Sequence, residues 1–208
     1  MSDVAIALVD YGMGNRRSVE KALEHVGATV TRAGTPEAIA AADAVVIPGQ
    51  GAFPEAMRRL DAQGLAAAIR EAADSGTAIL GICLGMQLLF DSSTEHEGAS
   101  GLGLLPGTVR RLDVGELRLP QIGWNPVSWT KCTLAEGLPE QSAFYHLHSY
   151  CVDPGDSKQV LATCEYGEKF TTAAGTDRVI GVQFHPEKSS TDGLKLLDNF
   201  VNRVVRSA

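Results

Sequence analysis

The first part of the chain, up to about residue 90, alternates between short apolar runs and segments of helical periodicity, and this constrains the fold more than any other feature. Short apolar runs predict buried strands, and the periodic segments between them predict helices. The predicted strands are residues 4–9, 28–32, 44–47 and 78–80, and the predicted helices are residues 17–26, 36–41 and 57–73, the last broken near Gly64. Such alternation implies a parallel sheet with helices on both faces and ligands at the edge where the strands end.

From about Thr108 the pattern changes to short strands with few helices between them. The predicted strands are residues 108–112, 125–129, 143–152, 160–166, 170–174 and 179–187, with a hairpin turn at 166–169 and a final helix at 192–205. The sequence therefore predicts an α/β fold with a mostly parallel central sheet flanked by helices and extra antiparallel strands in the C-terminal half. No repeat or linker interrupts the pattern, so residues 1–208 are expected to form a single domain.

The composition is that of a globular protein and argues against two classes of partner. With 44% hydrophobic and 21% charged residues, the 208-residue chain can bury a sizeable core. A net charge of −7 argues against non-specific binding to nucleic acid or to an anionic membrane. No apolar run approaches the roughly 20 residues of a membrane span, and the N-terminus lacks the basic region of a signal peptide. The protein is expected to be cytoplasmic.

The four cysteines predict neither a disulfide framework nor a metal site. They are Cys83, Cys132, Cys151 and Cys164, and no two form a Cys-x-x-Cys motif. A chain of this length with an ordinary core does not need disulfides. His146, His148 and Cys151 fit an alternating strand better than any common zinc spacing. We therefore expect no metal and no cofactor.

Cys83 lies in the motif that carries most of the chemistry. A short apolar run ends in Gly81-Ile82-Cys83-Leu84-Gly85, and a helical pattern with Met86, Leu88, Leu89 and Phe90 begins at once. This is the cysteine form of the nucleophile elbow, a sharp strand-to-helix turn that exposes one side chain at the edge of a sheet. The positive end of the helix dipole favours a thiolate there. The alternative is a buried structural cysteine.

A base for this nucleophile is predicted at the end of a later apolar run. In extended chain, His185 and Glu187 point to the same side, and Pro186 stiffens the backbone between them. A carboxylate beside an imidazole orients the ring and stabilises its protonated form. The alternative is an ordinary strand end with an exposed His and Glu.

A glycine-rich loop follows the strand at 44–47. Its sequence is Pro48-Gly49-Gln50-Gly51, and glycines after a strand expose backbone N–H groups that can stabilise an oxyanion beside Cys83. A phosphate cradle is a rival interpretation, but the lysine and Ser/Thr of a Walker motif are missing. The third interpretation is a plain turn with no ligand.

These three motifs resemble those of the class I (triad-type) glutamine amidotransferases and fall along the chain in that family's order, and the resemblance covers nearly the whole chain. Two further stretches are similar to the glutaminase subunits of imidazole glycerol phosphate synthase. They are Asp10-Tyr11-Gly12-Met13-Gly14-Asn15 with Arg17-Ser18-Val19 behind it, and Gly123-Trp124-Asn125 together with Lys188-Ser189-Ser190 after His185-Pro186-Glu187. From the residues alone, the first is a glycine-rich loop, and Trp124 is equally suited to a core.

The resemblance implies that Cys83, His185 and Glu187 form a catalytic triad that hydrolyses glutamine to glutamate and ammonia. It implies an oxyanion hole from the backbone at Gly49, Gln50, Gly51 and Leu84. It implies substrate contacts from Gly51, Gln87, Glu95, His148, Ser149 and Tyr150. Glu95 is equally well explained as part of a solvated acidic loop.

The resemblance also implies a partner, a (β/α)₈ cyclase that receives the ammonia and makes imidazole glycerol phosphate and aminoimidazole carboxamide ribotide in histidine biosynthesis. Asn15, Trp124, Tyr145 and Lys188 would face it, although Lys188 also suits a solvated surface. Three alternatives remain open at this point: a glutaminase of another pathway (pyridoxal phosphate, guanylate or anthranilate synthesis), a γ-glutamyl hydrolase, and an inactive binding module.

Overall fold

The computed structural model describes residues 3–206; Met1, Ser2, Ser207 and Ala208 of the predicted domain lie outside the described residues. The strands are β1 Val4–Val9, β2 Ala28–Ala33, β3 Ala44–Ile47, β4 Ala78–Ile82, β5 Phe90–Ser93, β6 Ala99–Ser100, β7 Leu105–Arg111, β8 Gln121–Pro126, β9 Ser128–Trp129, β10 Ala143–His148, β11 Tyr150–Pro154, β12 Val160–Tyr166, β13 Glu168–Gly175 and β14 Val179–Val182. The α-helices are α1 Arg16–His25, α2 Pro36–Ala40, α3 Phe53–Ala62, α4 Leu65–Asp74, α5 Leu84–Leu88 and α6 Ser190–Asn199.

The main sheet joins both halves of the chain. Its strand order is β2-β1-β3-β4-β14-β13-β11-β7-β5-β6, with β12 paired to β13 and to β9. The strands from β2 to β14 in this order are parallel, and β13, β11 and β12 continue the sheet with antiparallel pairings. A second sheet consists of β8 and β10. The predicted fold class is thus confirmed.

Two cores cover the two faces of the parallel strands. Along β1, Ile6 and Leu8 pack into one core, and Ala7 and Val9 pack into the other. The first core is closed by α1 and α6, and the second by α3 and α4. Period-two alternation along each strand therefore produces a sheet that is buried on both faces.

The parallel strands bring four loops to one edge of the sheet, because their carboxyl ends point the same way. These loops are residues 10–15 after β1, residues 48–52 after β3, the turn at Cys83 after β4, and residues 183–185 after β14. The glycine-rich loop, Cys83 and His185 lie at this edge, and Glu187 follows His185 in the turn at Pro186–Lys188.

The predicted strand at 143–152 is wrong as a single strand. β10 pairs with β8 in the small sheet, whereas β11 pairs with β7 and β13 in the main sheet. Ser149 lies between them, and its carbonyl accepts a hydrogen bond from the Leu112 amide at 3.0 Å. A strand cannot belong to both sheets without a break, so the chain turns at this residue.

Other elements also differ from the prediction. The strand expected at 125–129 is divided between β8 and β9 after Pro126, which has no N–H for a ladder. The strand expected at 179–187 ends at Val182, the final helix changes to a π-helical turn at Phe200–Val204, and β5 and β6 were not predicted. No helix in residues 3–206 is long and apolar enough to cross a membrane.

Candidate active site

Cys83 occupies a strained turn between β4 and α5. Its φ of 55° and ψ of −111° lie in a region that costs a residue with a side chain about 1–3 kcal/mol. The side chain is buried, with 7% of the residue exposed. α5 begins at the next residue, so the predicted strand-to-helix turn is present. The helix ends at Leu88, however, and Phe90 belongs to β5 rather than to the helix.

The glycine-rich loop after β3 packs directly on this turn. A Cβ on Gly49 would overlap the amide nitrogen of Gly85 and the side chain of Leu84. A Cβ on Gly85 would in turn overlap the carbonyl oxygen of Ile47. Only residues without a side chain permit this approach. The structure thus brings together Gly49 and Leu84, two of the four predicted oxyanion contacts.

His185 and Glu187 are held together by a tight turn. Nδ1 of His185 lies 2.9 Å from Oε1 of Glu187, and both side chains are almost fully buried. Glu187 belongs to a 3-10 turn at Pro186–Lys188, not to an extended strand as the sequence predicts. The backbone of His185 is fixed as well, because its N–H donates to the Tyr145 carbonyl at 2.9 Å and its carbonyl accepts from the Ser189 hydroxyl at 2.7 Å.

The environment of His185 favours its protonated form. Burial lowers the pKa of the ring, but the hydrogen bonds and negative charges of Cys83 and Glu187 together outweigh burial and raise that pKa to about 9. Since Glu187 occupies Nδ1, the other ring nitrogen is left for the sulfur of Cys83. The arrangement can therefore hold a cysteine–imidazolium pair at neutral pH.

A cavity of about 160 Å³ opens beside Cys83. Its wall consists of Gly51, Cys83, Leu84, Gln87, Glu95, Leu147, His148, Ser149 and Tyr150. All six residues predicted to bind substrate therefore lie around the cysteine, whereas Gln50, a predicted oxyanion contact, is exposed and outside this wall. A larger groove of about 830 Å³ contains Cys132, but burial raises the pKa of that thiol, and no histidine lines the groove.

Comparison with known proteins decides the family. The family of class-I glutamine amidotransferases matches residues 7–204. The chain belongs to this family. It is accordingly an enzyme, and the cavity at Cys83 is the candidate glutaminase site.

Similar proteins narrow the relationship further. A protein of Moorella thermoacetica named imidazole glycerol phosphate synthase subunit HisH is 48% identical over 204 residues, which is 98% of this chain and 96% of that protein. Proteins of the same name are 50% identical in Dechloromonas aromatica, over 94% of this chain and 95% of that protein, and 46% identical in Methanosarcina barkeri, over 95% and 98%.

Solved structures agree in fold. A crystal structure of a glutamine amidotransferase has a TM-score of 0.76 at 19% identity and covers 97% of this chain and 98% of that one. A chain in the structure of PurLQS from Thermotoga maritima has a TM-score of 0.78 at 19% identity, over 97% and 99%. At this identity the likeness concerns the fold alone.

The amidotransferase site contains one polar residue that the sequence did not indicate, Gln183. This fully buried side chain donates from Nε2 to the sulfur of Cys83 at 3.7 Å. Its Oε1 accepts from Nε2 of Gln87 at 3.0 Å, and the same Gln87 nitrogen donates to the carbonyl of Tyr150 at 3.2 Å. The amide of Gln87 is thereby oriented by the two acceptors of its nitrogen. A polar residue between apolar Val182 and Phe184 is the signal that would have indicated this role.

Glu95 is fixed in the wall rather than solvated. Oε2 accepts from the amide of Phe53, the first residue of α3, at 2.8 Å. The side chain is 13% exposed, and Oε1 lies 4.0 Å from Nε2 of His96. The interpretation as a freely solvated acidic loop does not fit this burial.

His146 and His148 are buried neutral residues. Nδ1 of His148 pairs with the Tyr150 carbonyl at 2.9 Å, whereas its Nε2 has no hydrogen-bond partner among the described residues. Nδ1 of His146 pairs with the Phe144 carbonyl, and its Nε2 with the Thr172 hydroxyl. Burial lowers the pKa of His146 to about 4 and that of His148 to about 3. Residues 3–206 contain no group of three or more His, Cys, Asp or Glu side chains placed to hold a metal ion.

Three of the four predicted partner residues form one exposed cluster. Trp124 pairs across β8 and β10 with Tyr145, and their rings meet edge to face at 6.2 Å. Nζ of Lys188 lies 5.7 Å from the centre of the Tyr145 ring. Trp124 is 52% exposed and is therefore not a core residue. Asn15 precedes α1, the helix that packs on the turn carrying Lys188.

Proposed function

We propose that this amidotransferase is the glutaminase subunit of an imidazole glycerol phosphate synthase and that Cys83, His185 and Glu187 catalyse the hydrolysis of glutamine. The observation that supports this most strongly is the strained Cys83, paired with the His185–Glu187 dyad and facing a cavity whose wall holds every predicted substrate residue. The names of relatives that match nearly the full chain support the pathway.

Glutamine enters with its side-chain amide against the sulfur. The thiolate of Cys83 attacks the amide carbon, and the carbonyl electron pair moves onto oxygen. Backbone N–H groups of the loop at 49–51 and of Leu84 stabilise this oxyanion, because the first N–H groups of α5 have no acceptor within the helix. The side chains of Gln87 and Glu95 bind polar groups of the substrate, and the carboxylate of Glu95 binds its ammonium.

His185 then supplies the proton for the leaving group. As the tetrahedral intermediate collapses, the imidazolium protonates the nitrogen, the C–N bond breaks, and ammonia leaves. Neutral His185 next takes a proton from a water molecule, whose oxygen attacks the carbonyl carbon of the γ-glutamyl thioester. The C–S bond then breaks, glutamate leaves, and the thiolate of Cys83 and protonated His185 are restored. Glutamine and water thus give glutamate and ammonia. Glu187 holds the ring in place throughout.

Ammonia must reach its acceptor without being protonated by bulk water, and this requires a partner. We place the (β/α)₈ cyclase on the face formed by Trp124, Tyr145 and Lys188, with Asn15 at its border. Trp124 and the more exposed Ile122 give this face the apolar character of an interface core. The four cysteines are free, which fits a reducing cytoplasm.

The test separates glutamine use from ammonia use in the complex with the cyclase. Cys83→Ala is expected to abolish glutamine-dependent synthase activity and to leave ammonia-dependent activity at the wild-type level. Cys132→Ala, which removes the most exposed of the four cysteines, should leave both activities intact. Glutamine-dependent activity that survives Cys83→Ala would refute the proposal.

A further inference from the structure

Tyr11 makes a buried hydrogen bond that connects two loops at the edge of the sheet. Tyr11 lies in the loop after β1, and its side chain is fully buried. Its hydroxyl donates to the carbonyl oxygen of Pro48 at 2.8 Å. A buried hydroxyl requires a partner, and this carbonyl supplies it. Tyr11 thereby joins the loop at 10–15 to the glycine-rich loop at 48–51.

The two loops also touch at two other places. Met13 lies against Gly51, where a Cβ would overlap the terminal methyl group of the methionine. Gly14 approaches Gly49, since a Cβ there would lie 3.6 Å from the Gly49 nitrogen. The loop at 10–15 is itself fixed, because Asp10 forms an ion pair with Arg16 and accepts from the Gly12 amide. It therefore forms a solid support for the glycine-rich loop.

The hydrogen bond of Tyr11 fixes more than one atom. A peptide unit is planar and trans, so the carbonyl of Pro48 and the N–H of Gly49 point in opposite directions and turn together. Gly49 packs on Leu84 and Gly85 of the elbow. Without the hydroxyl, glycine flexibility would allow this peptide plane to rotate beside the sulfur.

We propose that Tyr11 is a positioning residue for glutamine hydrolysis: its hydroxyl, acting through the Pro48 carbonyl, holds the Gly49 peptide plane, and with it the loop at 49–51, in the orientation that stabilises the oxyanion. This inference rests on the proposed function of the Cys83 site. Burial and the nearby charge of Cys83 raise the pKa of Tyr11 above its ordinary value, so the group remains a donor at every pH at which the enzyme works.

Tyr11→Phe tests this, because it removes one oxygen and keeps the packing of the ring. An entire oxyanion donor is worth about 100- to 1000-fold in kcat, and a donor that is present but loosely held should lose part of that. In the complex with the cyclase, we expect kcat for glutamine to fall about tenfold, with KM for glutamine within about twofold and ammonia-dependent activity unchanged.

Tyr166→Phe is the matched control. The hydroxyl of Tyr166 also donates to a backbone carbonyl, that of Arg118 at 2.9 Å, but lies away from the cavity. This variant should keep the wild-type kcat and KM.

If Tyr11→Phe lowers thermal stability but leaves kcat for glutamine unchanged, Tyr11 is only structural and the inference is overturned. A rise in kcat, or an equal loss of glutamine- and ammonia-dependent activity, would overturn it too. The wild-type complex in the same assay distinguishes a failure of this inference from a failure of the proposed function. Absence of glutaminase activity there would contradict the proposed function, not the role of Tyr11.

Discussion

Nδ1 of His185 lies 2.9 Å from Oε1 of Glu187 because the 3-10 turn at Pro186–Lys188 folds the carboxylate back onto the ring. The second carboxylate oxygen is buried with no hydrogen-bond partner among the described residues. His185 is thus the main polar group that Glu187 contacts. The role of this buried carboxylate is therefore to orient the imidazole ring of His185 and to stabilise its protonated form.

The pH dependence of glutaminase activity should follow the titration of His185. Its pKa of about 9 exceeds the ordinary 6.5, so the proton is present at neutral pH and is lost as pH rises through about 9. The charge on the ring also stabilises the fold. This contribution is fully present below pH 6.5 and is lost as pH rises from 6.5 through about 9. We expect kcat to fall about tenfold per pH unit above 9.

Glu187→Gln provides the check on that profile. Removing the carboxylate charge should move the alkaline limb of the kcat profile to lower pH by about one unit. Glu165→Gln, on β12, changes a glutamate outside the cavity and should leave the limb in place. A limb that does not move in Glu187→Gln would show that Glu187 does not support the charge on His185.

Gln183 should influence the reactivity of the nucleophile. It donates to the sulfur of Cys83, and a hydrogen bond to a charged acceptor contributes about 1.5–3 kcal/mol, less at this 3.7 Å distance. In Gln183→Leu, alkylation of Cys83 by iodoacetamide at pH 7 should slow about fivefold, as followed by mass spectrometry. Gln159→Leu, in the groove near Cys132, is the control. Equal alkylation rates in all three proteins would mean that the contact is only steric.

Much of this architecture follows from sequence patterns, because the parallel strands are buried on both faces and read as apolar runs. The positions of Cys83 and of the loop at Pro48 are predictable for the same reason, since each directly follows such a strand. The predicted break near Gly64 is confirmed, because one helix ends at Ala62 and the next begins at Leu65. Gly64 between them has a φ of 71°, which glycine adopts readily.

What the sequence could not provide depends on contacts between distant segments. Nothing local to Ser149 shows that β10 and β11 belong to different sheets, because membership is decided by their partners. All residues of α5 are buried, so its apolar pattern could not show where the helix ends. The pairing of Glu187 with His185 is predicted correctly, but from an extended strand that is not present. The 3-10 turn at Pro186–Lys188 brings the two side chains together instead.

His146 and His148 should make the fold sensitive to acid. Their pKa values of about 4 and about 3 are depressed, so between pH 6.5 and 4 the unfolded state takes up protons that the folded state does not. As pH falls through this range, each ring therefore lowers the free energy of unfolding by about 1.4 kcal/mol for every pH unit. Urea titrations of His146→Gln should show a slope against pH reduced by about that amount. His96→Gln, which changes an exposed ring, should show the wild-type slope. An unaltered slope in His146→Gln would show that this ring titrates normally.

Trp124 should contribute strongly to cyclase binding. It is a half-exposed aromatic residue braced by Tyr145, and such anchors often contribute about 2 kcal/mol or more to binding. Trp124→Ala should therefore raise the Kd for the cyclase about 30-fold by calorimetric titration. Leu117→Ala, which changes a residue of similar exposure (51%) outside the cluster, should bind normally. An unchanged Kd in Trp124→Ala would place the partner on another face.

The most direct test of the account is the rate of glutamate formation from glutamine by the isolated chain and by the chain with its cyclase partner and a nucleotide ligand of that partner. The account predicts slow hydrolysis by the chain alone and a rate higher by orders of magnitude in the liganded complex, lost in Cys83→Ala. Fast hydrolysis by the isolated chain that neither partner nor ligand increases would contradict it.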